Sequence, residues 1–151
     1  MAIRDIDPAV IGREYDRKSY PPVTAAELIA YARSLGVEDP IYVDEQAAAA
    51  GPYGGLVAFP TFVVKLRGGV HFPPEVVKEM TRAGFDAGKD IELGEPIRPG
   101  DVLTASSRIT EIYDKTGRSG TMTFLVFRHE LRNQRDQLVA NVDNRLMQRV
   151  V

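Results

Sequence analysis

From Lys89 onward the chain is patterned with a period of two, which constrains the fold more than any other stretch. Residues 89–97, 101–113, 120–131 and 137–149 are rich in Val, Ile, Thr, Phe and Tyr and are separated by turn-forming clusters. This spacing predicts four consecutive strands. In the last run Leu138, Ala140, Val142, Asn144 and Leu146 share one face, and Asn141, Asp143 and Arg145 share the other. That is the signature of an antiparallel sheet covered on one side. Lys115-Thr116-Gly117 and Asn133-Gln134-Arg135-Asp136 supply hairpin connections. The apolar face has to be buried, and its cover has to come from the first half of the chain.

That half carries helix signals. Thr24 and Glu27 have capping-box spacing, Leu28, Ile29, Ala32 and Leu35 recur on one face, and Gly36 ends the segment. A shorter helix is predicted from Asp44 as its cap through Ala47 to Ala50, stopped by Gly51-Pro52. Pro60-Thr61-Phe62-Val63-Val64-Lys65-Leu66 is a short apolar run that periodicity alone assigns neither to helix nor to strand. Residues 70–88 mix Pro, Gly and charge without a clean period and read as a connecting segment with one turn of helix over 75–82. With no internal repeat or linker, residues 1–151 read as a single α+β domain.

Composition removes several functional classes. With no cysteine, a disulfide framework, a thiol nucleophile and a cysteine-bound metal are all excluded. The two histidines, His71 and His129, stand far apart, so no metal site is expected. A net charge of -2 without a basic block speaks against nucleic acid as a partner. The absence of a long apolar run speaks against a membrane span, and a cytoplasmic location is the expectation.

Between the two helices lies Gly36-Val37-Glu38-Asp39-Pro40-Ile41-Tyr42. It resembles the hydratase motif Gly-Asp-x-Asn-Pro-x-His of the MaoC-like hot-dog enzymes, with Val37 in place of Asp and Tyr42 in place of His. The likeness extends to Ile11-Gly12-Arg13, to the run from Gly55 through Phe62, and to Pro96-Ile97-Arg98-Pro99-Gly100-Asp101. It is nearest to the dehydratase-like N-terminal half of double hot-dog proteins and to the subunits that pair with a catalytic partner, the mycobacterial fatty-acid dehydratase heterodimers among them. The resemblance implies a hot-dog fold, an antiparallel sheet wrapped around a central helix, with helix over the Pro60 run. It also implies an acyl-thioester ligand carried on coenzyme A or acyl carrier protein, with no other cofactor.

Hydrating an enoyl thioester requires a base for water, an acid for the α-carbon and a donor for the enolate oxygen. Val37 transfers no proton, and a phenol such as Tyr42, with a reference pKa of about 10, is a poor base near neutrality. The family's third contribution, an N–H at the start of the central helix, aligns with Phe59-Pro60, and proline has none. No catalytic residue is therefore assigned, and Val37, Asp39, Tyr42, Phe59, Pro60, Thr61 and Phe62 are the expected substrate-binding residues. Asp39 reads first as a turn cap before Pro40. His129 reads as a cross-strand polar contact, and Glu111 and Asp114 as solvated groups.

The leading expectation is an acyl-thioester-binding, non-catalytic subunit of a heteromeric (R)-specific enoyl-CoA hydratase or 3-hydroxyacyl-thioester dehydratase. Its partner would bring the Asp/His pair, and in the partner's absence a homodimer is expected. Three alternatives stand beside it: an active homodimeric hydratase using Asp39 or Glu38, a non-enzymatic acyl-CoA-binding homodimer, and, least favoured by the motifs, a thioesterase.

Overall fold

The computed structural model describes residues 3–70, 72–74, 84–118 and 120–149. His71 and the helical turn expected over 75–82 lie outside the described residues. The chain forms an antiparallel five-stranded sheet in the order β1-β3-β4-β5-β2, in which β1 is Glu14–Ser19, β2 Gly84–Leu93, β3 Thr104–Gly117, β4 Gly120–Arg132 and β5 Leu138–Arg149. Helices and turns from the first half cover one face, and the arrangement is the expected α+β hot-dog fold.

The first helix, α1 (Ala25–Ser34), begins as its sequence specifies: the Thr24 hydroxyl accepts from the Glu27 N–H, and the Glu27 carboxylate accepts from the Thr24 N–H at 2.9 Å. It ends in a Schellman motif. Gly36 adopts φ +73°, its N–H reaches the Arg33 carbonyl at 3.0 Å, and the Val37 N–H reaches the Ala32 carbonyl at 3.1 Å. The motif loop itself contains a helix not expected from sequence, α2 (Pro40–Val43), capped by Asp39 with Pro40 in its first turn, where a missing N–H costs nothing. The next helix, α3 (Glu45–Ala49), starts at Asp44 as expected.

The Pro60 run is a 3-10 helix, Pro60–Lys65, not an α-helix. It lays Phe62 and Val63 on the sheet, with Leu66 just beyond, against Leu103, Leu131, Ala140, Val142 and the Leu28 side chain of α1. Each fully buried side chain of this size contributes about 1.5–3 kcal/mol. A second apolar cluster, Ile3, Ile6, Ile109, Leu125, Phe127 and Leu146, fills the other end of the same face. The alternation expected for the last run holds from Val142 onward, with Val142, Asn144 and Leu146 buried and Asp143 and Arg145 pairing on the opposite face with Arg128 and Asp90. At its start a register shift opposite Leu131 and Arg132 breaks it, leaving Leu138 only partly buried and Val139, Ala140 and Asn141 all buried, with Asn141 donating to Glu92.

Several strand boundaries differ from expectation, among them the end of β2 at Leu93 instead of 97 and the start of β3 at Thr104 instead of 101. β1 was not anticipated, because Glu-Tyr-Asp-Arg-Lys-Ser carries no apolar alternation; as an edge strand it needs only backbone pairing with β3. β2 starts at Gly84 instead of 89, and Gly88, at φ +100°, lies within the irregularity between Asp86 and Lys89, where its N–H bonds the Asp86 carboxylate. Lys115-Thr116-Gly117 belongs to β3, with Gly117 paired to Gly120 across a tighter connection. The turn at residues 133–136 is as expected, organised by the Asn133 carboxamide oxygen accepting from the N–H groups of Arg135 and Gln137.

The Arg98-Pro99-Gly100-Asp101 run has a structural role. Asp101 is buried; one carboxylate oxygen accepts from the Arg98 N–H at 2.8 Å and the other from the Gln134 amide at 3.0 Å. It thereby ties the entry of β3 to the β4–β5 turn.

Candidate functional site

Two segments remote in sequence meet at the sheet's covered face. The Tyr42 ring on α2 stands edge-on to Phe59, with centroids 5.2 Å apart and an interplanar angle of 83°. Together with Pro60 these residues wall a cavity of about 200 Å³ whose other sides are formed by Tyr53, Val57, Ala58, Val63, Ile97, Val139 and the 93–96 turn. The turn approaches closely because Gly94 and Glu95 donate to the Val139 and Leu138 carbonyls, each at 2.9 Å.

Of the expected binding residues, the fold brings Tyr42, Phe59 and Pro60 into this cavity. Val37, Asp39, Thr61 and Phe62 do not line it. The Val37 N–H closes the α1 cap, and Asp39 Oδ1 accepts from the Ile41 N–H at 3.1 Å, the turn-cap role its position suggested. The Thr61 hydroxyl bonds Tyr31 Oη at 2.9 Å, and Phe62 packs edge-to-face on the Tyr31 ring in the core. Glu38, like Asp39, is exposed and away from the cavity.

Sequence reasoning missed Tyr53, Leu93 and Glu95. Tyr53 sits in the Gly51-Pro52-Tyr53-Gly54 turn, where an aromatic residue between chain-reversing residues is itself a signal. Leu93 and Glu95 reach the site only through the strand end at Gly94, which residue patterns do not position.

The electrostatics are sparse. Tyr42, Tyr53 and Glu95 are the titratable lining residues. Burial pushes the Tyr42 phenol above its ordinary value, and the neighbouring Tyr53 and Asp39 push it further. Tyr42 therefore stays protonated across the neutral range, which leaves it able to donate a hydrogen bond but not to act as a base. No N–H is available at Pro60, and the Phe62 N–H is committed to the Phe59 carbonyl at 2.8 Å. Two phenols and one exposed carboxylate make up the titratable chemistry of the cavity. Among the described residues there is no grouping of three or more His, Asp or Glu able to hold a metal, and no helix long and apolar enough to cross a membrane.

His129 and Ser107 lie elsewhere on the same face. They are cross-strand neighbours, with Ser107 Oγ and His129 Nδ1 2.7 Å apart, the polar contact expected for His129, here fully buried. Glu111 and Asp114 are exposed.

A UPF0336 protein of Streptomyces avermitilis is 29% identical over 116 residues, covering 74% of this chain and 77% of that one. Among solved structures, the ChsH1-ChsH2 complex of Mycobacterium tuberculosis superposes with a TM-score of 0.74 at 18% identity, over 91% of this chain and 84% of that one. The C-terminally truncated HadBC (3R-hydroxyacyl-ACP dehydratase) complex from the same organism gives 0.68 at 23% identity, over 91% and 96%. These likenesses establish the fold. The profile of the FAS1-like dehydratase domain region matches residues 9–142, nearly the whole chain, and the protein belongs to that family.

Proposed function

We propose that this chain is the acyl-thioester-binding, non-catalytic subunit of a heteromeric (R)-specific hydratase or dehydratase. The observation that carries the reading is the cavity where α2 meets the Phe59-Pro60 turn. It is apolar, walled by the two segments that supply catalysis in the family, and holds neither the Asp nor the His. The protonated Tyr42 phenol is suited to donate to the thioester carbonyl, which binds the ligand without moving a proton.

The sheet edge supports a partner. β2 is a terminal strand and exposes Phe85, Ile91 and Leu93. An open edge with apolar side chains invites pairing with another strand. Leu93 belongs to both this edge and the cavity wall, so a related subunit continuing the sheet there would bring its own residues to the ligand. The carrier is coenzyme A or acyl carrier protein, and the site of action is the cytoplasm.

The test is hydration of trans-2-enoyl-CoA, followed by loss of the conjugated thioester absorbance. The chain alone is expected to bind without turnover, and a related subunit with an intact Gly-Asp-x-Asn-Pro-x-His loop is expected to restore activity. Turnover by the chain alone that disappears in Glu95→Gln would refute the reading and identify Glu95 as the base.

A further inference from the structure

A band of polar side chains crosses the otherwise apolar covered face of the sheet. Asp16 on β1 is the register partner of Ser107 on β3, and Ser107 is the partner of His129 on β4. Asn144 on β5 completes the band, one position diagonal to His129. Ser107, His129 and Asn144 are 0%, 2% and 3% exposed. Such groups in an apolar core cost stability unless each finds a partner. Two oxygens lack one: Asp16 Oδ2 is buried without a hydrogen bond, and, although the Asn144 side-chain NH₂ donates to the Val142 carbonyl at 3.3 Å, so is Asn144 Oδ1.

Asn144 faces a second cavity, of about 280 Å³, whose walls include His129, Val142, Leu66 and Val63. Lys89 and Asp86, paired with each other at 3.2 Å, border it on the β2 side, and Arg67 on the other. The main chain beside the band is packed hard onto it: a Cβ at Gly68 would overlap the Asp16 carboxylate and come within 2.7 Å of Ser107 Oγ. Tyr20 Oη donates to the Arg67 carbonyl and pins this segment down.

Val63 stands in the walls of both cavities, so the two spaces adjoin at this side chain. Ligand sites ordinarily measure about 300–1,000 Å³. Each cavity is below that range by itself; together they fall inside it. An acyl chain whose thioester lies at Tyr42 would run past Val63 along Leu66 and Val142, with Arg67, Asp86 and Lys89 beside it, and end at a buried carboxamide.

We propose that this second cavity is a subsite for a hydroxyl group on the distal part of the acyl chain, so that the protein selects hydroxylated over plain acyl thioesters. The proposal rests on the acyl-thioester reading above. A hydroxyl is the group that fits, because it donates and accepts at once and satisfies Asn144 whichever end of the amide faces the cavity. A methyl terminus would leave Oδ1 unsatisfied, and a carbonyl would suit one amide orientation alone.

The test compares binding of hexanoyl-, octanoyl- and decanoyl-CoA with their ω-hydroxyl counterparts by calorimetry on the intact protein. At the length that reaches Asn144 the hydroxylated ligand is expected to bind roughly threefold to tenfold tighter, the worth of one buried neutral hydrogen bond. Asn144→Leu is expected to reverse that order while retaining the plain chains. Equal or weaker binding of the ω-hydroxyl ligands at every length, as when water fills the second cavity, would overturn the proposal and leave the acyl-thioester reading intact. Failure of every acyl-CoA to bind would overturn both. The wild-type ratio decides on its own if Asn144→Leu does not fold.

Discussion

The turn that closes the Tyr42 cavity leaves no room for a side chain at position 94. A Cβ on Gly94 would overlap the Leu138 carbonyl oxygen and lie 3.0 Å from its carbon. The obstruction is backbone, held in register by the two bonds from Gly94 and Glu95 to β5. Gly94→Ala therefore has to open the end of the β2–β5 ladder. Two backbone hydrogen bonds are worth about 1 kcal/mol each, and overpacking adds about 1–3 kcal/mol. Reduced freedom of the unfolded chain returns about 0.5 kcal/mol. The net loss is about 2.5–4.5 kcal/mol, which lowers Tm by roughly 10 °C in a chain of this size.

Gly68→Ala provides the contrast. Its Cβ would collide equally hard, but with the Asp16 and Ser107 side chains. The Asp16 carboxylate sits on an edge strand and can rotate away, so about half the loss is expected. Thermal and urea unfolding followed by circular dichroism measures both variants. If Gly94→Ala stays within about 1 kcal/mol of wild type, or if Gly68→Ala is the more damaging, the backbone-versus-side-chain argument is wrong.

Other consequences follow from single contacts. Tyr42→Phe is expected to weaken acyl-CoA binding roughly threefold to tenfold by removing one donor, with little change in Tm; unchanged affinity would remove Tyr42 from the thioester contact. Because the folded state raises the Tyr42 pKa, its contribution to stability is complete below the unfolded value of about 10 and is lost as pH rises through the higher folded value. Tyr42→Phe should therefore lose less stability than wild type in that alkaline window, as read by urea midpoints at stepped pH. Phe85→Lys with Ile91→Lys places charge on the β2 edge and should prevent co-elution with a catalytic partner in size-exclusion chromatography while the isolated chain keeps its Tm. Asp143→Ala strands Arg128, whose guanidinium now meets both carboxylate oxygens at 2.7 and 2.8 Å with the pair partly buried. A loss of about 1–2 kcal/mol is expected in the same unfolding assay, reduced at high salt.

Local rules carried the sequence reading where a single segment settles its own structure. The Thr24–Glu27 box, the Gly36 terminus, the Asp44 cap and the alternation along β5 from Val142 onward are all decided by neighbours within a few residues. Reading failed where the decision is made at long range. β1 is a strand because β3 offers it an edge, not because its own residues ask for one, and Gly88 reads as a turn until β5 is placed beside it. The site divides in the same way. Tyr42, Phe59 and Pro60, expected from the motif loop and its counterpart, line the cavity, whereas Val37, Asp39, Thr61 and Phe62 come from the same two segments but turn to caps, surface or core. Tyr53 and Glu95 enter from segments that share no pattern with the motif.

Leu93 sits at once in the cavity wall and on the open strand edge, so on the proposed reading ligand occupancy and subunit assembly would form a single linked equilibrium. A partner that covers this side chain changes the solvation of the cavity, and by reciprocity a ligand in the cavity changes the affinity for the partner by the same factor. If that reading holds, two free energies measured separately, ligand with isolated chain and subunit with empty subunit, are expected not to sum to that of the loaded assembly. The shortfall is the coupling that passes through this one leucine and its neighbours.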